Sequence, residues 1–136
     1  MDLHSEDKVN KALQYFAKGG EPAWCVVYDY DVPSQVRAIK KITGYKDGCF
    51  FNNEEYAFFE YAEIIESDEE LDNLAVDILA YDMKKRLAEK RAGGRCGWQT
   101  CDERTLIDLM NYAFADLKLL DAVNYACFQH ALCYDY

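Results

Sequence analysis

Carboxylates are the residue type this chain carries in surplus, and two spaced pairs of them could do chemistry. Glu60-x-x-Glu63 and Glu69-x-x-Asp72 each set two acids three residues apart, the kind of donor pairing that holds magnesium for attack on a phosphoanhydride. Such a site needs both pairs to converge. Only five residues separate Glu63 from Glu69, and a helix start at Ser67 falls between them, so a solvated acidic face is the expectation. Cys127-x-x-His130-x-x-Cys133, with Cys96 or Cys101, has the donor types for zinc. Helical spacing brings Cys127 beside His130, but Cys96-x4-Cys101 is a poor knuckle and Cys127 falls on an apolar stripe. Core cysteines and an ordinary histidine are the better reading. The three serines, Ser5, Ser34 and Ser67, lie in no nucleophile elbow, and no phosphate-cradling glycine loop or dinucleotide fingerprint is present. The sequence therefore predicts no catalytic residue, no metal and no cofactor.

Recognition is the chemistry that remains. The net charge is −10, from 25 acids against 15 bases, which disfavours direct contact with nucleic acid or an anionic membrane and suits a basic protein surface. The charge is segregated: residues 54–83 hold eleven acids and no Lys or Arg, while Lys84, Lys85, Arg86, Lys90, Arg91 and Arg95 follow at once. Tyrosine, a residue that buries much area at low entropic cost, occurs eleven times. Tyr28, Tyr30, Tyr56, Tyr61, Tyr81, Tyr134 and Tyr136 lie among acids. The predicted binding residues are Glu54, Glu55, Tyr56, Glu60, Tyr61, Glu63, Glu66, Asp68, Glu69 and Glu70, an acidic face able to imitate phosphates.

The elements that must position them follow from periodicity. Ser5 as N-cap and Val9, Ala12, Leu13, Phe16 and Ala17 at helical spacing predict a helix over about 5–18, stopped by Gly19-Gly20. Trp24–Tyr30 reads as a strand, and Asp31-Val32-Pro33-Ser34 as a turn. Two hairpin signals, Tyr45-Lys46-Asp47-Gly48 and Asn52-Asn53-Glu54-Glu55, make a meander with strands near 23–30, 36–44, 49–52 and 56–65. Helical readings of 36–43 and of 58–65 compete with it. Ser67-Asp68-Glu69-Glu70 is a capping box opening a helix over 68–91, through Leu71, Leu74, Ala75, Ile78, Leu79, Met83 and Leu87, that Gly93-Gly94 ends. Thr100-Cys101-Asp102-Glu103 reads as a second capping box, before a stripe of Leu106, Leu109, Met110, Ala113 and Leu117. After a break at 116–119, Leu120, Val123, Ala126, Cys127 and Ala131 mark a last helix.

The stretch Gly94-Arg95-Cys96-Gly97-Trp98, followed by Cys101, Leu106, Leu109 and Leu120-Asp121-Ala122-Val123-Asn124-Tyr125-Ala126, resembles a C-terminal module of small bacteriophage accessory proteins. In that family a Gly-Arg-x-Gly-Trp turn precedes a leucine helix, and a second helix carries Asp, Asn, an aromatic and Ala. The match spans about 35 residues of the 136 and departs at Lys118-Leu119, where the family has a Gly-Asp-Pro turn. Residues 23–66 are similar to the SH3-like β modules of such proteins. The paired acids resemble those of MazG-like nucleotide pyrophosphohydrolases, whose longer helix-to-helix interval this chain lacks. The resemblance implies a phage or prophage origin without an activity. Its shared residues Gly94, Arg95, Gly97, Trp98, Asp121 and Asn124 are expected to be structural, with Trp98 plugging the helices and Asp121 and Asn124 bonding the turn or Arg95.

Together these readings predict an α+β single domain over 1–136: an N-terminal helix within 1–20, a small antiparallel SH3-like sheet within 21–66 and three helices within 67–136. No apolar run reaches the ~20 residues that cross a bilayer, and the polar start Met1–Asp7 shows no secretory pattern, so a cytoplasmic location in a bacterial host is expected. The six cysteines are expected as thiols. The expected function is non-enzymatic binding and inhibition of a basic host protein, one that handles nucleic acid in defence. Alternatives are a magnesium-dependent pyrophosphohydrolase-like enzyme and a structural homo-oligomer.

Overall fold

Strong stop signals and apolar spacing set the first element, α1, Glu6–Ala17, which buries Val9, Ala12 and Phe16. In this computed structural model the described residues are 6–29 and 36–132. The expected N-cap Ser5, the turn Asp31–Ser34, Tyr30 and the tail with Cys133, Tyr134 and Tyr136 lie outside them. The fold is α+β, four α-helices and two three-stranded antiparallel sheets, in the expected order of one helix, strands, then three helices. Two compact units divide the chain, Met1–Ile78 and Leu79–Tyr136.

In the first unit six strands follow α1: β1 Ala23–Asp29, β2 Val36–Ile42, β3 Gly44–Lys46, β4 Cys49–Asn52, β5 Ala57–Phe59 and β6 Tyr61–Ile64. One sheet has the order β2-β1-β6 and the other β3-β4-β5. Only Thr43 separates β2 from β3, and only Glu60 separates β5 from β6. They are therefore two bent strands, matching the segments 36–44 and 56–65 of the expected meander, and the competing helical readings fail. Pairing runs from β1 to β2, from β3 to β4, from β4 to β5 and from β6 back to β1, so the four segments, two of them bent, close on themselves. Closure leaves few free edges in so small a sheet.

Local chemistry explains the bends. Gly44 is buried at the first one because the Phe51 ring lies over it: a Cβ there would sit 2.5 Å from Phe51 Cζ. Asp47 and Gly48, at φ 54° and 82°, make the two-residue β3–β4 turn, whose central positions both need positive φ. Alternation on β1 then serves two cores. Cys25 and Val27 pack with Val9, Ala12, Phe16, Ile42, Phe50 and Ala62, while Val26 and Tyr28 pack against Tyr61, Leu74 and Ile78. Each fully buried large apolar side chain there contributes about 1.5–3 kcal/mol.

Leu74 and Ile78 belong to α2, Asp68–Ala92, whose start obeys its capping signal. Ser67 Oγ accepts from the Glu70 N–H at 3.1 Å. The return bond differs by one residue, Glu70 Oε2 accepting from the Glu66 N–H at 3.2 Å.

In the second unit, α2 ends as Gly93-Gly94 predicts. The Arg95 N–H donates to Lys90 O at 2.9 Å and the Gly94 N–H to Arg91 O at 3.0 Å, with Gly94 at φ 84°. Gly97, at φ 85°, then launches a 3-10 turn, Trp98–Thr100. That turn corrects the second capping box. Thr100 Oγ1 donates to Gly97 O at 2.8 Å, and Asp102 instead caps α3, Glu103–Ala115, by accepting from the Thr105 N–H at 2.7 Å. The chain breaks at 116–118 as expected, without glycine: Leu117 takes φ 59°. The last helix, α4, spans Leu119–Ala131. Its inward face is not the apolar stripe expected. Asp121, Ala122, Asn124, Phe128 and Gln129 are buried, while Cys127 and Ala131 are exposed.

Candidate functional site

The ten predicted binding residues do not form one surface; the fold consumes several of them. Glu63 is buried on β6 and accepts from the Tyr28 hydroxyl at 3.5 Å. Burial, then the Glu63 charge, pushes the Tyr28 phenol up to about 12, with Arg37 opposing. Tyr28 is thus core, correcting its place among the acidic-surface tyrosines, and Tyr61 is half-buried between both cores. Glu66 pairs with Lys11 at 2.8 Å, whose hydrogen bond holds its carboxyl below the usual range. Glu70 is the α2 cap described above. Glu60 sits exposed at the β5–β6 bend, and Asp68 and Glu69 are exposed in the first turn of α2.

What survives is the β4–β5 turn, where Glu54, Glu55 and Tyr56 all face solvent. Its anchor is Asn52, a residue the sequence marks as a turn member but not as a support. The Asn52 side chain is buried, yet every part of its amide is engaged. Nδ2 donates to Lys41 O at 2.7 Å, and Oδ1 accepts from the Glu54 N–H at 2.8 Å and the Glu55 N–H at 3.1 Å. Thr43 Oγ1 accepts from the Asn53 N–H at 3.1 Å. These bonds hold Tyr56 at φ 51°, a left-handed conformation that costs a non-glycine residue roughly 1–2 kcal/mol, with its side chain 85% exposed. A buried amide fixing a strained, exposed tyrosine directly after two acids is a preorganised tip. Glu55 meets Lys40 at 3.4 Å, both side chains largely exposed, so this pair adds little stability and leaves the acid available. Phe58, two residues on and 63% exposed, extends the tip; its outward position follows from strand alternation and was not singled out.

The residues expected to be structural cluster in the second unit, with different partners. Asp121 does not bond the turn or Arg95. Arg86 Nε reaches its Oδ1 at 3.0 Å and Lys90 Nζ the same oxygen at 3.1 Å, one helical turn apart on α2. The Arg86 hydrogen bond leads in holding the Asp121 carboxyl below its ordinary range, against burial. Trp98 is half-buried and stacks on Phe128 of α4, with centroids 4.3 Å apart and planes 4° from parallel. Asn124 is buried, and neither its Nδ2 nor its Oδ1 has a partner among the described residues.

Among the described residues no group of three or more His, Cys, Asp or Glu is placed to hold a metal, so Glu60, Glu63, Glu69 and Asp72 do not converge. Cys25, Cys49, Cys96 and Cys127 are free thiols, and Cys133 lies outside the described residues. No helix is long and apolar enough to cross a membrane among the described residues. Comparison with protein-family models, with curated proteins and with solved structures finds no match to this chain.

Proposed function

We propose that the chain is a non-enzymatic accessory protein of phage origin that binds a basic host protein through the Glu54-Glu55-Tyr56 turn and inhibits it. One observation carries this reading: the buried Asn52 amide, through both its nitrogen and its oxygen, fixes a turn whose strained Tyr56 points to solvent directly after two acids. A rigid tyrosine lowers the ordering cost of binding, and flanking carboxylates steer it toward basic surface. Exposed Asp68, Glu69, Asp72, Asp77 and Asp82 on α2 add to the negative field. A host protein whose groove takes nucleic-acid phosphates has the complementary charge. The sequence resemblance of the C-terminal stretch to phage accessory modules, and of residues 23–66 to their SH3-like modules, is what suggests this origin.

Affinity capture from a bacterial host lysate tests it with wild-type chain beside Glu54→Lys/Glu55→Lys and Tyr56→Ala. A host protein retained by wild type, released by rising salt and lost from both variants is expected. Capture of nothing, or equal capture by all three, removes the proposal; a wild-type homo-oligomer in light scattering that masks Tyr56 favours the structural alternative.

A further inference from the structure

The second unit contains a cavity of about 290 Å³ beneath the Gly94–Trp98 turn, lined in part by Lys90, Arg95, Trp98, Asn124, Tyr125 and Phe128. It is independent of the acidic turn. Its unusual member is Asn124. The side chain is 2% exposed, and among the described residues it is the one buried amide with neither donor nor acceptor paired. Asn52 shows what this fold does with a buried amide it needs for structure: it satisfies every part. An amide buried and left open carries a desolvation penalty that folding alone does not repay. A ligand group offering an acceptor beside a donor would repay it. The rest of the lining fits such a ligand. Trp98, Tyr125 and Phe128 supply aromatic surface, and Lys90 Nζ lies 5.2 Å from the Tyr125 ring centroid, placing a cation at the aromatic wall. Lys90 is shared with Asp121, but Arg95 is exposed at the rim and makes no ion pair among the described residues. Arg86, Lys90 and Arg95 also line an adjoining surface depression, so the cavity sits beside basic groups in a chain of net charge −10.

We propose that this cavity binds a small planar heteroaromatic anion, of which a nucleoside monophosphate is the simplest case. Asn124 pairs with a donor–acceptor edge of the ring, the aromatic residues contact its faces, and Arg95 with Lys90 takes the negative group. An asparagine amide matches such an edge in two simultaneous hydrogen bonds. The guanidinium suits a phosphate oxygen pair.

The full chain carrying Trp24→Phe leaves Trp98 as the single tryptophan, and AMP, CMP, GMP and UMP are titrated against its selectively excited emission, with adenosine and inorganic phosphate alongside. At least one nucleotide is expected to saturate the Trp98 signal with a Kd below about 1 mM, phosphate alone giving no change. Asn124→Ala is expected to weaken that nucleotide by on the order of tenfold to a hundredfold, because it deletes the amide that pairs with the ring. Arg95→Gln is expected to weaken the nucleotide and leave the nucleoside unaffected. The proposal is overturned by failure of all four nucleotides to bind, by a response to phosphate alone equal to theirs, or by an Asn124→Ala protein that binds as wild type.

Discussion

Replacing Asn52 by alanine tests whether the acidic tip is held as described. The substitution deletes three hydrogen bonds at once. The donor to Lys41 O, at 2.7 Å, comes from a buried amide, and stranding its acceptor costs about 1–3 kcal/mol. The two amides released, Glu54 and Glu55, lie on solvent-facing residues, so water replaces much of what they lose and each adds only about 0.5 kcal/mol. The sum is a destabilisation of roughly 2–4 kcal/mol. Each unit holds one tryptophan, Trp24 in the first and Trp98 in the second, so urea unfolding of Asn52→Ala in a Trp98→Phe background reports the right unit. Asn52→Asp keeps the acceptor for the turn but sets a carboxylate against Lys41 O in a buried site, so its loss is expected to exceed the Lys41 share alone. A loss below about 0.5 kcal/mol for Asn52→Ala, the level of an ordinary surface change, refutes the reasoning.

Three further outcomes follow from the second unit, all read through Trp98 in a Trp24→Phe background. Leu117 is 90% exposed at φ 59°, so Leu117→Gly relieves about 1–2 kcal/mol of left-handed strain and returns about 0.5–1 kcal/mol as chain entropy; urea unfolding should show a small gain, and a loss would mean the side chain is packed. Gly94→Ala has the opposite sign: nothing lies within 4 Å of the added Cβ, so the cost is the φ 84° backbone alone, about 1–2 kcal/mol, and an unchanged midpoint would contradict it. Asp121 has a folded pKa depressed first by Arg86, so its stabilisation is full above the ordinary carboxylate range, about pH 4, and fades as pH falls through the lower folded value. Asp121→Asn should therefore lower stability at neutral pH and flatten the loss below about pH 4; parallel wild-type and variant pH curves would contradict that.

Local signals were legible where one residue type decides the backbone. Asp47-Gly48, Ser67 with Glu70, and Gly93-Gly94 each produced the expected turn, cap or stop. The strand segments were legible too, although closure of the meander through β6 on β1 was not, because it depends on pairings some forty residues apart. Polar residues were the blind spot. Leu120, Val123, Cys127 and Ala131 look like an inward stripe on α4, but Arg86 and Lys90 draw Asp121 inward and turn Cys127 out. Spacing alone likewise gave α2 a single stripe, whereas Leu74 and Ile78 pack in the first unit and Leu87 lines the cavity of the second. At the acidic face, composition could not separate Glu63, buried beside Tyr28, from Glu54 and Glu55, which remain at the surface. That distinction needs the strand register, in which Glu63 pairs with Val26 across β1.

Recognition by the Asn52-supported tip is the central claim, and the affinity of the captured host protein is its most direct measure. Titration of that protein against wild type, Tyr56→Ala and Glu54→Lys/Glu55→Lys should show a loss of tenfold or more for each variant, with a shallower salt dependence for the charge reversal, on the order expected for an anchor residue and its steering charges. Equal affinities and equal salt slopes across the three proteins would contradict it.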